Sequence, residues 1–244
     1  LIVKAASAAY PGLAANEYLC LTAAQAAGIT TPSFALSDDG QMLILDRFDL
    51  VERADGRVER LGFEDIAALA GLRVRDVLSD RKYQGSYQRI AELLRQLHLH
   101  SDNLHRFFEQ VAFSIMVRNG DAHLKNFGLL YDSAEHIGLA PMFDVVTTSI
   151  YKYRQSPGGP LLEDHTLALK LFSGKHQTKA YPTTEELVDF GRRVCGVAQP
   201  TRVLARIAQA MTRTMAEAKG DSRVPRELWT QMNEAWASGD GYAS

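Results

Sequence analysis

The hydrophobic period of the chain changes once, and the place where it changes limits what can fold on either side. Residues 1–50 mix short apolar runs of strand character with a single helical stretch, whereas helical periodicity dominates beyond about Leu61. Between them Glu52, Arg53, Asp55, Gly56, Arg57, Glu59 and Arg60 form a polar stretch that reads as a connector. The pattern predicts a small mixed unit at 1–50 and a larger, helix-dominated unit at 51–244, an α+β organisation.

Upstream of the change, Leu1 to Lys4 is strand-like, and Asn16 can cap a helix that runs to Ala27 and stops at Gly28. Ser33 to Leu36 and Met42 to Leu45, separated by Asp38-Asp39-Gly40, read as a hairpin. Downstream, helices are expected over Phe63 to Ala70, Tyr87 to His98 and Leu104 to Val117, and around 184–195, 201–218 and 225–237. Trp229 and Trp236, at helical spacing, are assigned to the core. After Arg118 the helical period gives way to Asn119-Gly120-Asp121-Ala122-His123-Leu124-Lys125-Asn126, then to strand-like runs at Phe127–Tyr131 and Ile137–Leu139.

Composition narrows the class. With 244 residues, 46% hydrophobic and 23% charged, the chain can bury a sizeable core, and disorder, collagen and coiled coil are excluded. Its longest apolar runs, such as Ile66 to Ala70, reach about five residues against the roughly 20 that a membrane span needs. Cys20 and Cys195 lie far apart with no CxxC spacing, which supports neither a disulfide framework nor a zinc site, so a cytoplasmic setting is expected. With 29 acidic and 27 basic side chains and no long Lys/Arg run, direct nucleic-acid binding is not expected. The chain opens on Leu1-Ile2-Val3-Lys4, without methionine and inside a strand-like run, so further sequence upstream is expected.

The polar loop between two apolar elements is where chemistry is expected. Asp121 and Asn126 have the D-x-x-x-x-N spacing of a kinase catalytic loop, in which the Asp takes the acceptor's proton and the Asn holds magnesium. Asp144 follows where a second magnesium-binding carboxylate would lie. By itself Asn119-Gly120-Asp121 also reads as a tight turn, and that alternative stays open for the short motif alone. Lys4 at a strand end and Glu17 in the next helix stand in the order of a phosphate-anchoring Lys held by a helix Glu. Elsewhere, His98, His100 and His105 lack the spacing of a zinc pair, and Ser173-Gly174-Lys175 is a surface turn, not a phosphate loop. Ser156 to Pro160 reads as a flexible loop, either near the acceptor side or a plain connection.

Taken together these residues resemble the HipA-like serine/threonine kinases, the toxins of bacterial toxin-antitoxin systems. The resemblance rests on Asn16-Glu17-Tyr18-Leu19-Cys20, Asp46-Arg47-Phe48-Asp49, Lys82 through Tyr87, Asn119 through Phe127, Leu139 through Val145 and Leu167 through Leu171, in family order. It implies a two-lobed protein-kinase-like fold, with a small mixed N-terminal lobe and a larger all-helical C-terminal lobe, that binds ATP and Mg2+ and phosphorylates a protein hydroxyl. It further implies that Lys4, paired with Glu17, contacts the phosphates and that Asp46, Arg47 and Phe48 form the adenine hinge. Asp121 would be the catalytic base; His123, Leu124, Lys125 and Asn126 would line the phosphate site; and Phe143 and Asp144 would close it, with Asn126 and Asp144 on the metal. A His two residues after the base is similar to the lipid-kinase loop and assigns His123 to the transferred phosphate.

The family's Gly-rich phosphate loop, with its regulatory serine, and a further N-terminal subdomain lie outside this chain. In that respect it resembles the compact HipT-like members, whose missing subdomain is a separate small N-subdomain protein, and a truncated full-length member reads identically. The resemblance also implies a DNA-binding, HipB-like antitoxin partner and an aminoacyl-tRNA synthetase as substrate, with translation and growth inhibited. Two other readings stay open from the residues alone: a small-molecule phosphotransferase with the same loop, and a non-catalytic kinase-like binding module.

Overall fold

The computed structural model describes residues 1–5, 9–72, 80–133, 136–153 and 158–243. Ser156 and Pro157 of the expected acceptor-side loop lie outside the described residues. The N-terminal sheet has the order β1-β3-β2, with β1 (Ile2–Ala5) and β2 (Phe34–Leu36) both antiparallel to β3 (Met42–Leu45). Val3 lies opposite Ile44, and Phe34 opposite Leu45. Between β1 and β2 runs α1 (Leu13–Ala26), which packs on β2 and β3 and, from the other side, on α6 (Pro200–Ala218). A helix enclosed on opposite sides needs apolar residues all round, and α1 buries Ala14, Ala15, Leu19, Cys20, Leu21, Ala23 and Ala24 together with Asn16 and Glu17.

The stop at Gly28 holds: Gly28 N–H bonds to Gln25 O and Ile29 N–H to Ala24 O, a Schellman closure that Gly28 completes at φ 74°. The start does not. The helix begins at Leu13, and Asn16 is fully buried inside it, spending its amide on a distant loop instead of on the helix end. The expected connector is also different. Its residues form a two-stranded ribbon, β4 (Leu50–Glu52) on β5 (Val58–Arg60), with Arg53 paired to Glu59. Both faces are largely exposed, so no apolar alternation announced strands there.

The larger part is built around α4 (Ser101–Met116), which buries Phe107, Phe108, Val111, Phe113 and Ile115 completely. Against it pack α3 (Tyr87–Gln96), α6 and α7 (Arg226–Asp240), with α5 (Thr184–Asp189) continuing into a π turn at Phe190–Val194. Trp236 is buried and Trp229 half-buried against this core, as expected. This part is helix-dominated but not all-helical. A three-stranded sheet, β6 (Gly62–Asp65), β7 (Gly128–Tyr131) and β8 (Ile137–Leu139), caps it, and a short ribbon joins β9 (Lys152–Tyr153) to β10 (Leu162–Glu163). The helix expected from Phe63 shrinks to α2 (Ile66–Leu69), because Phe63 pairs with Leu130 in the sheet and Asp65 then caps the helix through Ala68 N–H. The mixed α+β architecture itself is as expected. Among the described residues no helix is long and apolar enough to cross a membrane.

Candidate active site

Because α1 packs on the sheet that carries β1, the strand lysine and the helix glutamate meet. Lys4 Nζ lies 2.6 and 2.8 Å from the two Glu17 carboxylate oxygens and 2.6 Å from Asp144 Oδ1. Glu17 is 3% exposed, so its charge depends on that partner. Burial by itself lowers the Lys4 pKa, but Glu17 and Asp144 outweigh it and hold the ammonium above its ordinary range. For Glu17 burial raises the pKa and Lys4 opposes the rise.

Asp144 follows β8 in a left-handed backbone conformation, φ 57°, unusual for a residue with a Cβ. Its other oxygen, Oδ2, accepts from Asn126 Nδ2 at 3.3 Å. Asn126 Oδ1 in turn accepts the His123 backbone N–H at 3.0 Å, which fixes the short 3₁₀ turn Leu124–Asn126. Asp121 starts this loop, its N–H bonded to Asn119 Oδ1 at 3.0 Å in an Asx turn. Asp121 Oδ1 accepts the Tyr83 hydroxyl at 2.7 Å. His123 is buried with its Nδ1 unpartnered among the described residues, and burial, opposed by Asp121, lowers its pKa so that the imidazole is neutral at pH 7.

Two further ties hold the loops in register. Gly120 N–H bonds to Thr148 Oγ1 at 2.7 Å, and Thr148 N–H to Arg118 O at 3.1 Å, joining the Asp121 loop to the segment after Asp144. On α1, Asn16 Oδ1 accepts Thr147 N–H at 2.8 Å and its Nδ2 donates to Thr147 O at 3.0 Å, while Trp236 Nε1 donates to Thr147 Oγ1 at 2.8 Å.

The structure thus brings Lys4, Glu17, Asn126 and Asp144 into direct contact, with His123 and Asp121 on the same loop as Asn126. Of the expected hinge, Phe48 sits beside the Asp144 loop, its ring 5.2 Å from Phe143 and 5.6 Å from Phe63. Asp46 is exposed, and Arg47 turns its guanidinium to Asp49 at 2.9 Å. Leu124 points into the core and Lys125 is exposed, so neither side chain joins the contact set. Sequence reasoning gave no role to Tyr83, Phe63, Thr147 or Thr148 and misread Asn16. Tyr83 and Asn16 lay in the quoted strings, but contacts across 38 and 131 residues leave no periodic trace.

As a metal site the donor set is hard oxygen, the Asp144 carboxylate and the second lone pair of Asn126 Oδ1. Among the described residues no group of three or more His, Cys, Asp or Glu forms a cage. Magnesium takes one or two carboxylates and fills its shell with phosphate and water, so one carboxylate and one amide oxygen are donors it can use. A cleft of about 580 Å³ is lined by Asp121 together with Tyr83, Asp164, Thr166 and Lys179. The arrangement can therefore hold anionic phosphate near Lys4, a divalent cation at Asn126 and Asp144, and a hydroxyl against Asp121.

Known proteins share sequence and fold with this chain. The family of HipA-like C-terminal domains matches residues 1–219. The Sinorhizobium fredii protein named Putative kinase Y4dM is 31% identical over 165 residues, covering 62% of this chain and 38% of that protein. A Haemophilus influenzae protein named Putative kinase is 26% identical over 156 residues, covering 62% of this chain and 46% of its own length. The chain therefore spans less than half the length of these curated relatives. Among solved structures, the Shewanella oneidensis complex of HipA, HipB and operator DNA contains a similar chain, with TM-score 0.69 and 17% identity over 99% of this chain and 57% of that one. The Helicobacter pylori proinflammatory kinase CtkA matches with TM-score 0.63 and 13% identity, over 99% of this chain and 88% of that one.

Proposed function

The chain belongs to the HipA-like C-terminal domain family, and from that premise we propose that it is the catalytic part of a kinase that transfers the ATP γ-phosphate to a serine or threonine hydroxyl of a protein. The observation that carries the reading is the contact set of Lys4, Glu17, Asp144 and Asn126, assembled from segments as much as 140 residues apart and continuous with the Asp121 loop. Magnesium, when bound with ATP, supplies positive charge against the phosphates. Lys4, kept charged and aimed by Glu17, binds phosphate oxygens. Asn126 and Asp144 are the residues that would hold the metal, and Phe48 and Phe143 offer an apolar wall to the adenine. His123, on the same loop as Asn126, is the residue that would steady the transferred phosphate, and Asp121 takes the acceptor's proton.

The similarity to HipA of a HipA–HipB–DNA complex supports a toxin role restrained by a DNA-binding, HipB-like antitoxin. The family resemblance adds a separate small N-subdomain protein as a second partner. It also adds an aminoacyl-tRNA synthetase as substrate, whose phosphorylation would stop translation. Calorimetric titration of the intact protein with ATP tests the site: binding is expected with magnesium and, in Asp144→Asn, weaker by about tenfold or more. An intact protein that binds no nucleotide would be a non-catalytic module. Radiolabelled ATP offered with synthetases and, separately, with metabolites decides the acceptor class, and label only in metabolites would overturn the protein-kinase reading.

A further inference from the structure

Tyr83 has no part in the mechanism so far, yet it makes the only side-chain hydrogen bond to the Asp121 carboxylate among the described residues. Its ring stands edge-on to His123, with centroids 5.2 Å apart at 72°. The Lys82 and Lys179 ammonium groups lie 5.0 and 5.6 Å from its centroid, so cation–π attraction holds the ring as well. Four residues on, the buried Tyr87 hydroxyl donates to Ala122 O at 2.9 Å, so two tyrosines from one segment grip consecutive residues of the loop. Burial and the bond to Asp121 raise the Tyr83 pKa, so the phenol keeps its proton and stays a donor.

We propose that Tyr83 is a positioning residue for Asp121 in phosphoryl transfer, a role that rests on the kinase reading above. Its hydroxyl fixes Oδ1 and leaves Oδ2 to receive the acceptor's proton. In the transfer the acceptor oxygen bonds to the γ-phosphorus while the bond from that phosphorus to the β,γ-bridging oxygen breaks. The bond's electron pair leaves with ADP, and the acceptor's proton passes to Asp121. Tyr83 keeps its own proton throughout. A hydroxyl that merely occupied the acceptor's place would act oppositely, since it would have to be displaced before reaction.

The test uses the intact protein and phosphate release from Mg-ATP, with water as the acceptor, for Tyr83→Phe, Asp121→Asn and the double variant. Tyr83→Phe is expected to lower kcat by about 10- to 100-fold, the cost of a misplaced catalytic group. The KM for ATP and the calorimetric affinity for Mg-ATP are expected to stay unchanged, and the double variant to be no slower than Asp121→Asn alone. A Tyr83→Phe enzyme with parental or higher kcat overturns the proposal. So does a double variant in which the two losses multiply, because Tyr83 would then act on something other than Asp121. An Asp121→Asn variant at parental kcat removes the base assignment itself, and the role of Tyr83 with it.

Discussion

Asp144 shows how one residue's backbone decides which experiment is informative. At φ 57° it occupies the left-handed region, which Asn and Asp tolerate better than other residues with a Cβ. Asp144→Asn should therefore keep a melting temperature near the parental one, whereas Asp144→Ala should lose about 1–2 kcal/mol to the same backbone angle. Equal thermal melts for the two variants would contradict this. Lys4→Met is expected to lower the melting temperature, because Glu17 would remain buried without its cation. Lys4, Glu17, Asp121, Asn126 and Asp144 were legible in the sequence because a strand Lys, a helix Glu and a spaced Asp and Asn keep their order along the chain. Asn16 was misread because a cap and a buried clamp use the same amide chemistry, and only the fold says which is satisfied.

At the scale of elements, the site depends on how α7 and α1 seat the loops. A Cβ at Gly239 would fall 2.0 Å from Met116 O, so glycine is what lets α7 cross the end of α4, just before the Asp121 loop. Gly239→Ala should therefore destabilise the protein by at least about 1–3 kcal/mol, read as a lower urea midpoint. An unchanged midpoint would mean that the two helices do not meet there. The helices and the N-terminal hairpin were readable because each carries its own apolar period and stop signal, as Gly28 does for α1. The β4–β5 ribbon was not, since its exposed, charged strands have no buried face to mark them. Gly62–Asp65 was not either, because pairing with β7 overrides the local helical pattern.

Across the whole molecule, the core closes around both cysteines. Burial pushes the Cys20 and Cys195 thiols up to about 12, so neither should react with iodoacetamide at pH 8 in the native protein, and both should react once it is unfolded. Rapid native labelling would contradict the packing. The same shift has a sign in stability: above about pH 9 the unfolded chain releases thiol protons that the folded one retains. Each thiol then lowers stability by up to about 1.4 kcal/mol per pH unit until near pH 12. The mixture of strands and helices was visible in the change of hydrophobic period, but the meeting of distant segments at one set of charges was not, because that depends on loops folding back across the chain. The most direct test of that meeting is transfer of radiolabel from γ-labelled ATP by the intact protein, compared with its Asp121→Asn variant. The account predicts an unchanged fold and a loss of about 10²- to 10⁴-fold in the transfer rate, the contribution of a positioned general base. Full transfer by the variant would contradict it.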